Sequence, residues 1–147
     1  MKRSPAPLFV AEPPAQYLVL PPLVVDCSVM SSAMFEEESR EVALNLLKGK
    51  TLHAPYLLEH ELVSVAIKKQ KLGWPAEAVA AALADQSQLN IELHRTDMEA
   101  QHALAVKYKL SAYDAAYLWL AAELKAPLAT FDEKLAKAAS AHLSSLS

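Results

Sequence analysis

Ser111-Ala112-Tyr113-Asp114-Ala115-Ala116-Tyr117-Leu118-Trp119-Leu120 is the stretch on which the reading of this chain turns. It reads as the opening of an amphipathic helix over about 112–125. Ser111 stands where an N-cap belongs, and Asp114 follows three residues later, the spacing of a capping box. Asp114 also shares a helix face with Tyr117, Leu118 and Ala121, the i+3, i+4 and i+7 positions. Two readings follow. Either Asp114 caps the helix, or it carries a carboxylate in among apolar side chains, where it needs a partner, a proton or a metal. The rest of the chain bears on the choice by whether it delivers further acids to the same place.

Downstream, Pro127 leads into a short strand, Leu128-Ala129-Thr130, followed by Asp132 and a last helix over 133–141. Thr130 to Glu133 again has capping-box spacing. Upstream lie a helix over 97–109, in which Asp97 reads as a first-turn acid, a strand over 90–94, and an Ala-rich helix over 76–86 after the turn Gly73-Trp74-Pro75. The helix over 56–72 sets Leu57, Glu61 and Val65 on one face, beside Leu58 and Leu62. Glu61 therefore interrupts an apolar stripe, which is unfavourable unless the carboxylate is used. Glu59 falls on another face and reads as solvated. His60-Glu61 opens an H-E-x-x-H zinc motif, but Ser64 stands where the second histidine must be, so that motif is rejected. Lys68, Lys69 and Lys71 at the helix end complement its dipole and are candidate contacts for an RNA backbone.

Nearer the start, 52–54 reads as a strand ended by Pro55, and 37–48 as a helix with Val42 and Leu46 on its apolar stripe and Gly49 as terminator. Leu23-Val24-Val25 is a continuous apolar run of the kind that forms a buried parallel strand. Asp26 stands at its carboxyl end, where open α/β sheets bind ligands, or caps the helix that begins near Ser28. Strands alternating with helices predict an α/β fold with a mainly parallel sheet.

The first 22 residues hold six of the nine prolines and read as a tail or strap outside the core, with Phe9, Val10, Tyr17, Leu18, Val19 and Leu20 available to dock. The predicted division is thus a proline-rich extension, 1–22, and one domain, 23–147. A chain of 147 residues, 53% hydrophobic and 21% charged, fits one folded domain. The formal net charge of −3 supplies no overall basic field, so a nucleic-acid partner requires a local basic patch or bound cations. Cys27 is the single cysteine, which excludes an internal disulfide framework and suits a reducing compartment. No apolar run approaches the roughly 20 residues of a membrane span, and the start is a poor signal peptide, so a cytoplasmic location is expected. Glycine occurs only at positions 49 and 73, which excludes a P-loop and a dinucleotide-binding glycine fingerprint.

Four acids remain conspicuous: Asp26 and Asp132 behind apolar strands, Glu61 and Asp114 on apolar helix faces. Each has a structural explanation alone. Gathered in one pocket they would repel, and some would have to hold protons unless a divalent cation joined them. Oxygen-only donors favour Mg²⁺ or Mn²⁺ over zinc. Such a cluster supports metal-assisted hydrolysis of a phosphodiester.

The ordered set Val24-Val25-Asp26-Cys27-Ser28, Pro55 with Glu61-Leu62, Leu110-Ser111-Ala112-Tyr113-Asp114-Ala115-x-Tyr117-Leu118, and Pro127-Leu128-Ala129-Thr130-Phe131-Asp132 resembles a PIN domain, and is most similar to the prokaryotic VapC-type toxins. The L-S-A-Y-D-A-x-Y-L segment is the most specific piece, and the likeness covers about 23–141. The resemblance implies a three-layer α/β/α fold around a central, mainly parallel sheet of four to five strands, and a Mg²⁺- or Mn²⁺-dependent endoribonuclease. It assigns the catalytic and metal-binding quartet to Asp26, Glu61, Asp114 and Asp132. Ser28 and Thr130 become polar residues at the rim, orienting a water or a carboxylate, or simply capping. It also implies RNA as substrate, a homodimer, and a cognate antitoxin that holds the enzyme inactive. The sequence departs from the family at Cys27, where alanine is common, and at Ser64, where asparagine is common. The proline-rich extension is unusual, and the short C-terminus predicts a missing or irregular final edge strand.

Two other classes compete with a nuclease. A PIN fold acting only as a binding module draws on the atypical extension. A phosphatase with an aspartyl nucleophile fits poorly, because its second acid is wanted two residues after the first, where Ser28 stands.

Overall fold

The computed structural model describes residues 5–13, 20–35 and 37–146. Its elements run β1 (Phe9–Ala11), β2 (Pro22–Val25), α1 (Cys27–Phe35), α2 (Glu37–Leu47), β3 (Thr51–Pro55), α3 (Leu57–Lys71), α4 (Ala76–Ser87), β4 (Ile91–His94), α5 (Met98–Tyr108), α6 (Ala112–Leu124), β5 (Leu128–Thr130) and α7 (Glu133–Ser144). The strands form one sheet in the order β1-β5-β2-β3-β4. Neighbours pair parallel except β1, which runs antiparallel to β5. This is the predicted α/β architecture with a mainly parallel, five-stranded sheet between helices. No described helix is long and apolar enough to cross a membrane.

The sheet order places the site. From β2 the chain moves outward through β3 to β4, then returns to the opposite side of β2 to lay down β5. The connections reverse direction between β2 and β5, and such a switch point opens a crevice at the carboxyl ends of its two strands. Asp26 follows β2 there, and Asp132 follows β5. Both strands are continuous buried runs because helices cover them: α6 lies against β2, β3 and β5, and α7 against β1 and β5. Val24, Val25, Leu118, Leu128 and Leu135 are fully buried in the common core. Phe35, Ala66 and Val79 form a smaller apolar cluster that joins α1, α3 and α4.

Two expectations need revision. The extension before Leu23 is not wholly outside the sheet: Phe9–Ala11 pairs with Leu128–Thr130, and Ala11 is 3% exposed. With Pro7 and Pro13 flanking it, β1 stays three residues long, one way of blunting a sheet edge. Thus the edge beside β5 is filled from the start of the chain, and no strand follows α7 among the described residues. Tyr17, Leu18 and Val19, read as docking residues, lie outside the described residues. The second revision concerns α2. Its inward residues are Ser39, Ala43 and Leu47, whereas Val42 is exposed and Leu46 only partly buried. The inner face is shifted by one position because Ser39, a polar residue, occupies it, donating a hydrogen bond to Ser32 of α1 at 3.1 Å.

Helix ends also differ from expectation in detail. Lys109 and Lys125 terminate α5 and α6 in the left-handed conformation that glycine usually supplies.

Removing residues 1–12 is expected to destabilise the domain by about 3 kcal/mol, from lost apolar burial and strand hydrogen bonds. Urea unfolding measures it. An unchanged midpoint would show that β1 adds nothing to the domain.

Candidate active site

Asp26 is 5% exposed, yet it is fully provided with donors. Ser28 Oγ donates to its Oδ1 at 2.6 Å, the Val29 amide donates to the same oxygen at 3.1 Å, and Thr130 Oγ1 donates to Oδ2 at 2.5 Å. The cap reading holds, and Asp26 also stands at the end of β2: it receives an amide of the first turn of α1 while its carboxylate is held at that strand end. The two hydroxyls are tied down in turn. The Phe131 amide donates to Ser28 Oγ and the Asp132 amide to Thr130 Oγ1, each at 2.9 Å. The loop after β5 is thereby stitched to the loop after β2.

Glu61 stands on α3 between a buried stripe, Leu58, Leu62 and Ala66, and an open cleft. Tyr117 Oη donates to Glu61 Oε1 at 2.5 Å. The tyrosine is buried and its hydroxyl is raised by burial and by Glu61, so it remains a proton donor to the carboxylate. On α6, Asp114 is half-buried. Ser111 Oγ accepts the Asp114 amide at 3.1 Å, which completes the cap through the backbone and leaves the Asp114 carboxylate available. Asp132 is exposed and caps α7, its Oδ1 accepting the Leu135 amide at 3.0 Å.

These acids lie within each other's field. Burial raises the carboxyl of Asp26, against the pull of its hydrogen bonds, and the charge of Asp114 raises it further. Burial raises Glu61, with Asp26 and Asp114 adding to the effect. Burial also raises Asp114, followed by the charge of Asp132. The four residues singled out in the sequence are thus linked by charge: Asp26 with Glu61 and Asp114, Glu61 with Asp114, and Asp114 with Asp132. The donor set is oxygen only, and its acids are desolvated and mutually repelling, the two conditions that a divalent cation relieves. An oxygen-only set of this kind suits a hard divalent ion such as Mg²⁺ or Mn²⁺, which Asp26, Glu61 and Asp114 would hold with Asp132 beside them.

A cleft of about 480 Å³ adjoins Glu61, lined by Cys27, His60, Ser64, Lys68 and Tyr113 among others. Burial, then the charges of Glu61 and Asp26, push the Cys27 thiol up to about 12. Cys27 is a small residue of the cleft wall. Of the three lysines, Lys68 lines the cleft, Lys69 lies over the Trp74 ring with Nζ 5.5 Å from its centre, and Lys71 is exposed in the last turn of α3.

The sequence profile of the PIN domain matches residues 23–141. The chain belongs to the PIN domain family. Among curated proteins, Ribonuclease VapC3 of Pyrobaculum aerophilum is 28% identical over 121 residues, which span 78% of this chain and 92% of that protein. The profile ends close to the last turn of α7 and begins at β2, so β1 lies outside the part matched to the PIN domain.

Sequence reasoning did not find two features of this PIN site. One is the pairing of Tyr117 with Glu61 across 56 positions; the sequence places Tyr117 on an apolar face and in the family-like segment but gives it no partner. Its signal was present, a tyrosine three residues after Asp114, but the partner lies on another helix. The other is Tyr113, which stands 61% exposed on the cleft wall.

Proposed function

We propose that this PIN domain is a divalent-metal-dependent endoribonuclease that hydrolyses RNA phosphodiester bonds. We further propose that it is the toxin of a type II toxin–antitoxin pair. The single observation that carries the nuclease reading is the convergence of Asp26, Glu61 and Asp114 from β2, α3 and α6, each with its carboxyl raised by burial and by another acid. In this reading Asp26, Glu61 and Asp114 hold Mg²⁺ or Mn²⁺, and Asp132 assists. When bound, the ion would supply Lewis acidity toward the phosphate and would make a water easier to deprotonate. The protein's own groups do the positioning. Ser28 and Thr130 fix the Asp26 carboxylate, and Tyr117 fixes that of Glu61. Lys68, at the cleft, offsets phosphate charge, with Lys69 and Lys71 further along the same helix. Tyr113 offers an exposed ring on which an unpaired base can stack. A domain at 23–147 with its extension at 1–22, a cytoplasmic location, a homodimer and a cognate antitoxin complete the proposal, supported by the likeness to a protein named Ribonuclease VapC3.

The competing reading, a PIN fold that only holds a partner, leaned on the extension. Phe9–Ala11 of that extension is taken up in the sheet, which removes part of its support.

The test is cleavage of a mixed RNA pool by the purified chain with Mg²⁺, with Mn²⁺ and with chelator. Cleavage that requires the ion is expected. A folded, metal-supplied and antitoxin-free protein that cuts no RNA in the pool would overturn the proposal.

Tyr117→Phe probes the positioning of Glu61 separately. The ring is kept and one charge-assisted hydrogen bond is lost, so Mg²⁺ affinity is expected to fall about 10- to 100-fold with the fold intact. A Mg²⁺ titration of the cleavage rate measures this. An unshifted midpoint would mean that Tyr117 does not position Glu61.

A further inference from the structure

A second group of donor side chains lies on another part of the sheet and is independent of the nuclease reading. β3 and β4 pair in parallel with His53 opposite Glu92 and Pro55 opposite His94. Side chains alternate along a strand, so Thr51 and His53 on β3 and Glu92 and His94 on β4 all emerge on one face. His53 Nδ1 lies 2.9 Å from His94 Nε2 and 3.7 Å from Glu92 Oε2. One donor atom from each of His53, Glu92 and His94 falls within 4.8 Å of the other two.

We propose that His53, Glu92 and His94 form a transition-metal site of the zinc class that ties the edge strand β4 to β3. Two imidazole nitrogens that face each other either share a proton or point their lone pairs at a common cation. In a tetrahedral zinc site with Zn–N of about 2.0–2.1 Å, ligand nitrogens stand about 3.3 Å apart, so a small outward turn of either ring admits the ion. Two histidines and a glutamate are a known zinc donor set that keeps a fourth position for water or another ligand. Thr51 supplies the outer partner that such ligands need. Its Oγ1 is 3.3 Å from His53 Nε2, so with the proton on Nε2 the Nδ1 lone pair is turned toward His94 and Glu92. Access differs across the group: the His53 side chain is 12% exposed and that of Glu92 69%, which gives an anchored ligand on the inside and an open approach from outside. The chemistry also separates this group from the acidic pocket. Imidazole donors select late first-row ions, whereas an oxygen-only set selects Mg²⁺ or Mn²⁺.

The site would brace the start of α3 as well as the sheet. The Tyr56 amide, just after β3, donates to the His94 carbonyl at 3.1 Å, and α3 begins at the next residue. A cross-link between β3 and β4 therefore steadies the strand ends from which the Glu61 helix departs.

The experiment is Zn²⁺ titration of the metal-stripped full chain, read by calorimetry, with thermal unfolding in parallel and Co²⁺ as a spectroscopic substitute. With excess Mg²⁺ present to fill the acidic pocket, one Zn²⁺ per chain is expected, with visible bands of a four-coordinate Co²⁺ site and a higher unfolding temperature. His94→Gln and Glu92→Gln, both on the edge strand, are expected to weaken binding by at least about 100-fold and about 10-fold respectively, the scale seen when groups around a metal are removed. His53→Ala should abolish it; if that variant fails to fold, the two edge variants still decide. Asp26→Asn and Asp114→Asn should bind Zn²⁺ at this site unchanged. Binding that survives His94→Gln, or that disappears in Asp26→Asn instead, would overturn the assignment. Absence of binding below about 10 µM would leave a hydrogen-bonded histidine pair only, and the proposal would be wrong.

Discussion

Asp114→Asn is expected to reduce RNA cleavage by at least about 10³-fold, a loss of roughly 4 kcal/mol of transition-state stabilisation, while the protein stays folded. The fold survives because the cap of α6 does not use the side chain: Ser111 Oγ accepts the Asp114 backbone amide, and asparagine supplies the same amide. Removing the charge also removes the burden that burial and Asp132 place on the ionised form. The unfolding temperature of the metal-free variant should therefore equal or exceed that of the wild type. Activity and stability then move in opposite directions, which a merely structural acid would not produce. Asp26→Asn should lose as much activity but gain less stability. Its two oxygens accept from Ser28, Val29 and Thr130, and an amide nitrogen cannot accept where Oδ2 now does. Cleavage rates and thermal unfolding on the two variants check both halves. A variant of Asp114 that cuts RNA at the wild-type rate with Mg²⁺ would remove this residue from the metal site.

The second large effect is a reversal of the pH dependence of stability by metal. Asp26, Glu61 and Asp114 all have carboxyls raised in the folded state, by burial first and by neighbouring charge second. A raised acid holds its proton more tightly folded than unfolded. The contribution to stability is then fully present below the ordinary carboxylate values of about 4 and is lost as pH rises through the folded values. Without metal, these three groups make the domain less stable at neutral pH than at mildly acidic pH. A divalent ion binds the deprotonated set and opposes that loss. At about 100 times its dissociation constant it adds about 2.7 kcal/mol, roughly 10 °C for a domain of this length. The gain should shrink as pH falls toward 5, because protons then compete for the same oxygens. Unfolding temperature against pH, with Mg²⁺ and with chelator, measures this. The difference from Asp114→Asn isolates the site from other titrating groups. An equal Mg²⁺ shift in that variant, or a wild-type curve in chelator whose excess slope over the variant has the opposite sign, would contradict the mechanism.

Much of the candidate site was legible because local rules and functional demand left marks on the same residues. Asp26, Asp114 and Asp132 sit at helix starts and look like caps, and in the structure Asp26 and Asp132 do accept helix amides. Capping accounts for one oxygen of a carboxylate. It leaves unexplained why the residue also follows a buried strand or shares a face with Tyr117 and Leu118, and that surplus pointed to a pocket. Glu61 was legible for a simpler reason, as an acid within an apolar stripe. Less visible were features set by pairs far apart in sequence. The Tyr117–Glu61 bond and the Thr130–Asp26 bond join positions whose proximity follows only from packing α6 and β5 against β2 and α3.

Periodicity, turn residues and the alternation of strands with helices determined the α/β class, the sequence of elements from β2 to α7 and the identity of the acids, because each depends on contacts within a few residues. Strand order did not follow from them. The return of β5 to the far side of β2, which creates the switch point, is decided by which apolar faces can be buried together. The fate of the proline-rich start was likewise tertiary. Three residues carry too little local preference to define a strand, and Phe9–Ala11 becomes one only because β5 offers an unpaired edge. The face of α2 that turns inward, and the meeting of His53, Glu92 and His94 across two strands, were decided in the same way, by register and packing between segments that no local pattern connects.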